Sequence, residues 1–128
     1  MIVLLATGGV VGTEKQRTLI VEDDTISRES MVKIFKMLGI EALGAASVSE
    51  GFSALEQLPQ TLVLDLMLPD GNGIQILRHI REKQLPIRVA ILSGADKPMI
   101  AEAQQWNPDV MFTKPVDLPK LLSWLKAA

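Results

Sequence analysis

Cysteine is absent from the chain. That excludes disulfides, thiol nucleophiles and thiolate metal sites. Histidine occurs once, at His79, so an imidazole cluster is excluded too, and any bound metal has to be a hard cation on oxygen ligands. Aromatic residues make up only 4% of the chain, which leaves Leu, Ile, Val, Ala and Met to build a core. Neither sign of charge dominates. The formal net charge is -2, which gives no electrostatic footprint for nucleic acid or an anionic membrane. Long hydrophobic runs are also missing. The N-terminal stretch MIVLLATGGVVG is apolar, but Glu14, Lys15 and Arg17 interrupt it well before the roughly 20 apolar residues of a spanning helix. It has no preceding basic region and no clear cleavage site, so it does not read as a signal peptide. Residues 1–16 are expected to be a leader, either flexible or an added strand, and the lack of other targeting signals points to the cytoplasm.

What is present fits one folded domain. The 128 residues are 48% hydrophobic and 22% charged, ordinary for a globular chain of that length. Short apolar runs alternate with helical patterns. Thr18–Val21 reads as a first strand, and Met31, Ile34, Phe35 and Leu38 recur behind it at helical spacing. Ile40–Ala45 is a weaker strand. Ser47 and Glu50 match a capping box ahead of Phe52, Leu55 and Leu58, and Pro59 is expected to end that helix. Thr61–Asp65 is the third strand, with Ile74, Leu77 and Ile80 marking the helix after it. Arg88–Leu92 is the fourth. Asp96 reads as an N-cap and Pro98 as first-turn residue of a loosely apolar fourth helix carrying Met99, Ile100, Ala103 and Trp106. Val110–Thr113 is the fifth strand. Asp117 then caps a helix striped by Leu118, Leu121, Leu122 and Leu125. Five βα repeats with continuously apolar strands predict an α/β domain over 17–128, a parallel sheet with helices on both faces.

In such a sheet the C-terminal strand ends share one edge, where sites form. The first strand ends at Glu22, Asp23 and Asp24, the third at Asp65, the fourth at Ser93 and the fifth at Lys114. Alone, each has a bland reading: Glu-Asp-Asp a solvated cap, Ser93-Gly94 a turn, Lys114-Pro115 a helix entry. Joint placement at four strand ends is what carries information. Two carboxylates about 5 Å apart repel by roughly 3 kcal/mol at an effective dielectric near 20. Several of them with one lysine call for a proton or a cation. With oxygen ligands only, Mg²⁺ fits best, and it leaves room for phosphate oxygens. Lys114 and Ser93 could hold two such oxygens, and Asp65 is placed as the carboxylate nucleophile of an acyl phosphate. His79 is expected to face solvent, and Trp106 either to cover the fourth helix or to meet a partner.

These residues resemble the response-regulator receiver domains of two-component signalling. The likeness rests on IVEDD (Ile20–Asp24), LVLDLMLPDGNG (Leu62–Gly73), LSGA (Leu92–Ala95) and FTKP (Phe112–Pro115), in that order, and spans about Arg17 to Ala128. It implies a flavodoxin-like strand order 2-1-3-4-5. It also implies that Asp65 takes phosphate from a phosphohistidine, on a sensor histidine kinase or a histidine phosphotransfer domain. Asp23 would bind Mg²⁺ directly, Glu22 through water, and the main-chain carbonyl of Met67 would be a further ligand. Ser93 and Lys114 would contact the phosphoryl group, the Lys114–Pro115 bond would be cis, and Asp24 is left as a helix cap. The surface of the fourth helix, fifth strand and fifth helix would switch, for a downstream protein or a homodimer. Beyond its own phosphorylation and dephosphorylation no enzyme activity is expected.

Two departures stand out. The family often has an aromatic residue three places before the lysine; this chain has Met111 there and Phe112 one place later, which alternation sends to the opposite face. The leader is also longer than the family needs. Two other readings compete. A receiver fold could serve binding alone without phosphorylation. A haloacid-dehalogenase-type phosphohydrolase also uses a strand-end Asp, but it needs a second Asp two residues later, where this chain has Met67. A flavodoxin-like cofactor domain is disfavoured, because carboxylates at the first loop would repel a phosphate.

Overall fold

The computed structural model describes residues 2–4, 10–13, 16–94 and 97–127. Its elements run β1 (Ile2–Leu4), β2 (Val10–Thr13), β3 (Arg17–Val21), α1 (Thr25–Met37), β4 (Glu41–Ala45), α2 (Val48–Ala54), β5 (Thr61–Asp65), β6 (Met67–Leu68), β7 (Gly71–Asn72), α3 (Ile74–Glu82), β8 (Arg88–Ser93), α4 (Lys97–Gln104), β9 (Val110–Thr113) and α5 (Leu118–Lys126). Five strands form one parallel sheet in the spatial order β4-β3-β5-β8-β9. Counting only those five along the chain, the order is the expected 2-1-3-4-5.

Alternation along each strand divides the apolar side chains between two cores. Leu19, Val21, Leu62, Leu64, Val89 and Ile91 meet Val48, Ile76, Leu77, Ile80 and Ala103 from α2, α3 and α4. Ile20, Val63, Ala90 and Leu92 meet Met31 and Phe35 of α1 and Leu121 and Leu125 of α5. Each fully buried Leu, Ile or Val contributes about 1.5–3 kcal/mol, so the central strand β5, buried along its whole length, is the least replaceable element. It stands between β3 and β8 with Leu64 opposite both Val21 and Ile91. Among the described residues, no helix is long and apolar enough to cross a membrane.

Several local expectations need correction. The helix after β4 does not run to Pro59. It ends at Ala54, tightens into a 3-10 turn over Leu55–Gln57, and Leu58 reverses the chain with φ 54°. His79 does not face solvent: it is half-buried, edge-on to Phe52 with ring centroids 5.3 Å apart, because α3 carries four buried residues and leaves little free circumference. Trp106 packs against the core under α4, the first of its two readings. Within the leader, β1 and β2 pair antiparallel as a separate two-stranded ribbon. Asp96, read as an N-cap, and Ala95 of LSGA lie outside the described residues.

The caps follow their sequence signals. Asp24 accepts from the Ser27 N–H and Asp117 from the Lys120 N–H. At α2, Ser47 accepts from the Glu50 N–H at 3.1 Å, and Glu50 reaches back to the Ala46 N–H at 3.0 Å. The two remaining donors there go to a residue far along the chain: Asp70 takes Val48 N–H at 2.7 Å and Ser49 N–H at 3.0 Å. Those bonds, Ser49 first and then Val48, hold the Asp70 carboxyl below its ordinary value of 3.8. A lowered carboxyl pKa gives stability that is complete above 3.8 and lost as pH falls through the folded-state value. Wild type should therefore melt above Asp70→Asn at neutral pH, and the gap should close on acidification through that range. Thermal melts of both proteins across a pH series check this, and a gap that stays constant contradicts it.

Candidate functional site

The parallel register delivers the charged residues to one edge. β3 and β5 run side by side, so Glu22 and Asp23 follow Val21 next to the end of β5, where Asp65 pairs with Leu92 of β8. Ser93 ends β8 opposite Thr113 of β9, and Lys114 follows at once. The peptide N–H of Lys114 donates to the Ser93 carbonyl at 2.8 Å, which fixes where the lysine side chain starts. The Lys114–Pro115 bond is cis.

The acidic groups converge. Glu22, Asp23 and Asp65 each offer a carboxylate oxygen, and the three oxygens lie within 4.8 Å of one another. Glu22 and Asp65 are buried, at 3% and 5% exposure, whereas Asp23 is exposed. Asp65 is thus less open to solvent than a strand end suggests. The Lys114 ammonium lies 2.8 Å from Asp65 Oδ2 and 3.0 Å from Glu22 Oε1. Burial alone would lower the lysine pKa. Hydrogen bonds to Asp65 and then Glu22, with their charges, outweigh it and raise the pKa above 10.5. One ammonium thus serves two buried carboxylates, and Asp23 is left in excess. The donor set is all oxygen and the spacing is close to what opposite ligands of a small cation span, about 4 Å. The three carboxylates are therefore fit to hold a divalent hard cation.

Other contacts set the loops. Asp24 N–H donates to Glu22 Oε2 at 3.3 Å, and Met67 N–H to Asp65 Oδ1 at 3.3 Å. Gly73 brings the start of α3 against β5 so closely that a Cβ there would sit 2.2 Å from the Asp65 carbonyl oxygen. Only glycine permits that approach. Met67 itself is 62% exposed beside the pocket. On β9, Met111 belongs to the α4 side and Phe112 to the α5 side, as alternation requires.

Two contributors escaped the sequence reading. Arg28 of α1 donates to the carbonyls of Glu22 at 2.9 Å and Asp23 at 3.3 Å, tying down the acidic loop. Its position shortly after that loop at a helix start was a weak signal. Asp70, in the turn after Asp65, carries no local sign that it caps α2.

Fold and pocket together define a doubly wound parallel-sheet domain with an acidic site at the carboxyl edge of its strands. Residues 18–126 match the response regulator receiver domain, and the chain belongs to that family. It is similar to the phosphate regulon transcriptional regulatory protein PhoB of Escherichia coli, with 26% identity over 88% of this chain and 51% of PhoB. It is 33% identical to the probable transcriptional regulatory protein NarL of Mycobacterium tuberculosis, over 68% of this chain and 42% of NarL. The chain spans about half the length of these curated relatives. Among solved structures, a CheY-like receiver domain protein from Methanospirillum hungatei superposes with a TM-score of 0.82 at 27% identity, covering 88% of this chain and 92% of that one.

The charge imbalance has a consequence for stability. With no divalent cation present, Asp23→Asn should raise Tm by a few degrees, since it removes the carboxylate that Lys114 does not reach. Melting in a chelator checks this. A lower Tm for the variant would contradict the electrostatic account.

Proposed function

We propose that the chain accepts a phosphoryl group from a phosphohistidine onto Asp65 in the presence of Mg²⁺, and that the modification is read at the α4–β9–α5 surface. The observation that carries this reading is the pair of bonds from Lys114 to Asp65 and Glu22 beside Asp23. Glu22, Asp23, Asp65 and the Met67 carbonyl would hold the cation. Bound there, it would neutralise charge on the transferring phosphoryl group and orient it.

The residues divide the rest of the work. An Asp65 carboxylate oxygen attacks phosphorus, the P–N bond breaks, and its electron pair returns to the imidazole nitrogen, leaving an acyl phosphate. Lys114 already lies at hydrogen-bond distance from Asp65, so a short movement brings its ammonium to a phosphoryl oxygen. The Ser93 hydroxyl, on the neighbouring strand end, serves another. The donor is a sensor histidine kinase or a histidine phosphotransfer domain. The chain catalyses only its own phosphorylation and dephosphorylation, and the recipient of the signal is a downstream protein or a second copy. Thin packing supports α4 as the mobile part: its buried residue is Ala103, with Met99 and Trp106 half-buried on the core. Met111 takes the place of the usual aromatic on that side of β9.

Incubation with Mg²⁺ and acetyl phosphate or phosphoramidate should add the mass of one phosphoryl group, and Asp65→Asn should abolish it. No mass gain in wild type sinks the proposal. The lifetime of the product is a second test. An exposed Met67 side chain cannot orient a hydrolytic water, so Met67→Asn should hydrolyse faster. Decay of the phosphorylated proteins followed by mass spectrometry decides; slower loss in the variant would count against this assignment.

A further inference from the structure

The loop that follows Asp65 is held from outside by a carboxylate with no part in the chemistry above. Residues 66–73 leave the sheet, form the small β6–β7 ribbon with Met67 opposite Asn72 and Leu68 opposite Gly71, and return to start α3. The base of the ribbon is fixed at the acceptor, where Met67 N–H donates to Asp65 Oδ1 and Gly73 N–H donates to the Leu66 carbonyl at 2.7 Å. Its far end carries Asp70. Both oxygens of that side chain are bonded to backbone N–H groups, Val48 at 2.7 Å and Ser49 at 3.0 Å. Gly71 lies close by with φ +154°, and a Cβ there would come 3.6 Å from Val48 Cγ2. The ribbon tip is therefore seated on the first turn of α2.

β4, the strand that leads into α2, is itself bonded through its last residue to the opposite wall of the pocket. Glu22 N–H donates to the Ala45 carbonyl at 2.9 Å. The contacts close a ring: Glu22 to Ala45, through the β4–α2 turn to Asp70, along the ribbon to Met67 and Asp65, and through Lys114 back to Glu22. Lys114 spans the pocket on one side and the Asp70 clasp on the other. If the clasp opens, the ring keeps only its Lys114 arm, and Met67 is tied to the acidic loop through Asp65 alone, by an N–H bond of 3.3 Å.

We propose that Asp70 is a positioning residue, which sets the place of the Met67 backbone relative to Glu22 and Asp23 by fastening the acceptor loop to the start of α2. The inference rests on the receiver reading above and deepens it, since the group positioned is the Met67 carbonyl of the cation site. Groups bonded directly to a metal ligand commonly change metal affinity by about 10–100-fold when removed, and Asp70, which acts on Met67 through the ribbon, is expected at the low end of that range.

Two variants separate positioning from helix capping. Asp70→Ala removes the clasp and two acceptors of α2, whereas Ser47→Ala removes an acceptor of the same helix and leaves the loop fastened. In calorimetric titration with Mg²⁺, Asp70→Ala should bind about tenfold more weakly than wild type, and Ser47→Ala should stay within about twofold. Asp70→Asn keeps one acceptor oxygen and should fall between. A second readout needs no cation: hydrogen exchange at the Gly73 amide should speed up in Asp70→Ala and not in Ser47→Ala. Equal Mg²⁺ affinities or equal exchange in the two alanine variants overturn the proposal, because Asp70 would then act only as a cap. Wild type that binds no Mg²⁺ defeats the receiver reading instead, and the exchange comparison still decides whether the clasp holds the loop.

Discussion

The placement of one ammonium between two buried carboxylates governs the functional edge of this domain. Lys114 reaches Asp65 and Glu22 at once. Without it, two largely desolvated anions would face each other across a narrow gap, an arrangement that costs several kcal/mol when a buried charge loses its partner. The fold contributes to that meeting from three strand ends: Glu22 follows β3, Asp65 ends β5, and Lys114 follows β9. Order β4-β3-β5-β8-β9 puts Asp65 in the middle strand, with acid on one side and base on the other. Because a single cation partners two anions and a third carboxylate lies within 4.8 Å, the pocket remains short of positive charge. That shortage is what suits it to a divalent cation.

Around this centre the support is mostly backbone. Arg28 grips the carbonyls of Glu22 and Asp23, Asp24 caps α1, Gly73 lets α3 abut the acceptor strand, and Asp70 ties the acceptor loop to the start of α2. None of these touches the carboxylate oxygens of the acceptor. Their effect is to remove freedom from the loops that carry the site, so that side chains at strand ends keep a narrow range of separations. Against this stands α4, which buries one alanine and otherwise meets the core through its own half-buried Met99 and the following Trp106. A rigid acidic edge beside a thinly packed helix is the distribution of stability expected of a domain that converts a local charge change into a surface change.

Much of this was legible from residues alone. Continuous apolar strands with helical stripes between them gave the parallel sheet, and the faces of Met111 and Phe112 followed from simple alternation. Ser47 with Glu50, Asp24 and Asp117 acted as the caps their positions implied. What differs depends on contacts between elements or on special backbone. Local pattern shows only that His79 flanks the apolar stripe, whereas its packing on Phe52 is a contact between elements. Proline marks where a helix cannot continue, not where it stops, and Leu58 in a left-handed conformation turns the chain before Pro59 is reached. Asp70 carries no local sign of capping, and its role at α2 depends on residues 22 and 21 positions earlier.

The sequence by itself determined which groups lie at strand ends, and therefore the chemistry available: carboxylates, one hydroxyl, one lysine, oxygen ligands only. It could do so because strand period, helix period and cap preference are local properties of a chain. Tertiary structure alone decided how those groups face one another. Lys114 bridging Glu22 and Asp65, burial of both carboxylates, Arg28 over the acidic loop and Asp70 on α2 all join segments whose relative placement follows from packing two cores against a twisted sheet. Distances of 2.8 and 3.0 Å are set by that packing, and no local pattern encodes them.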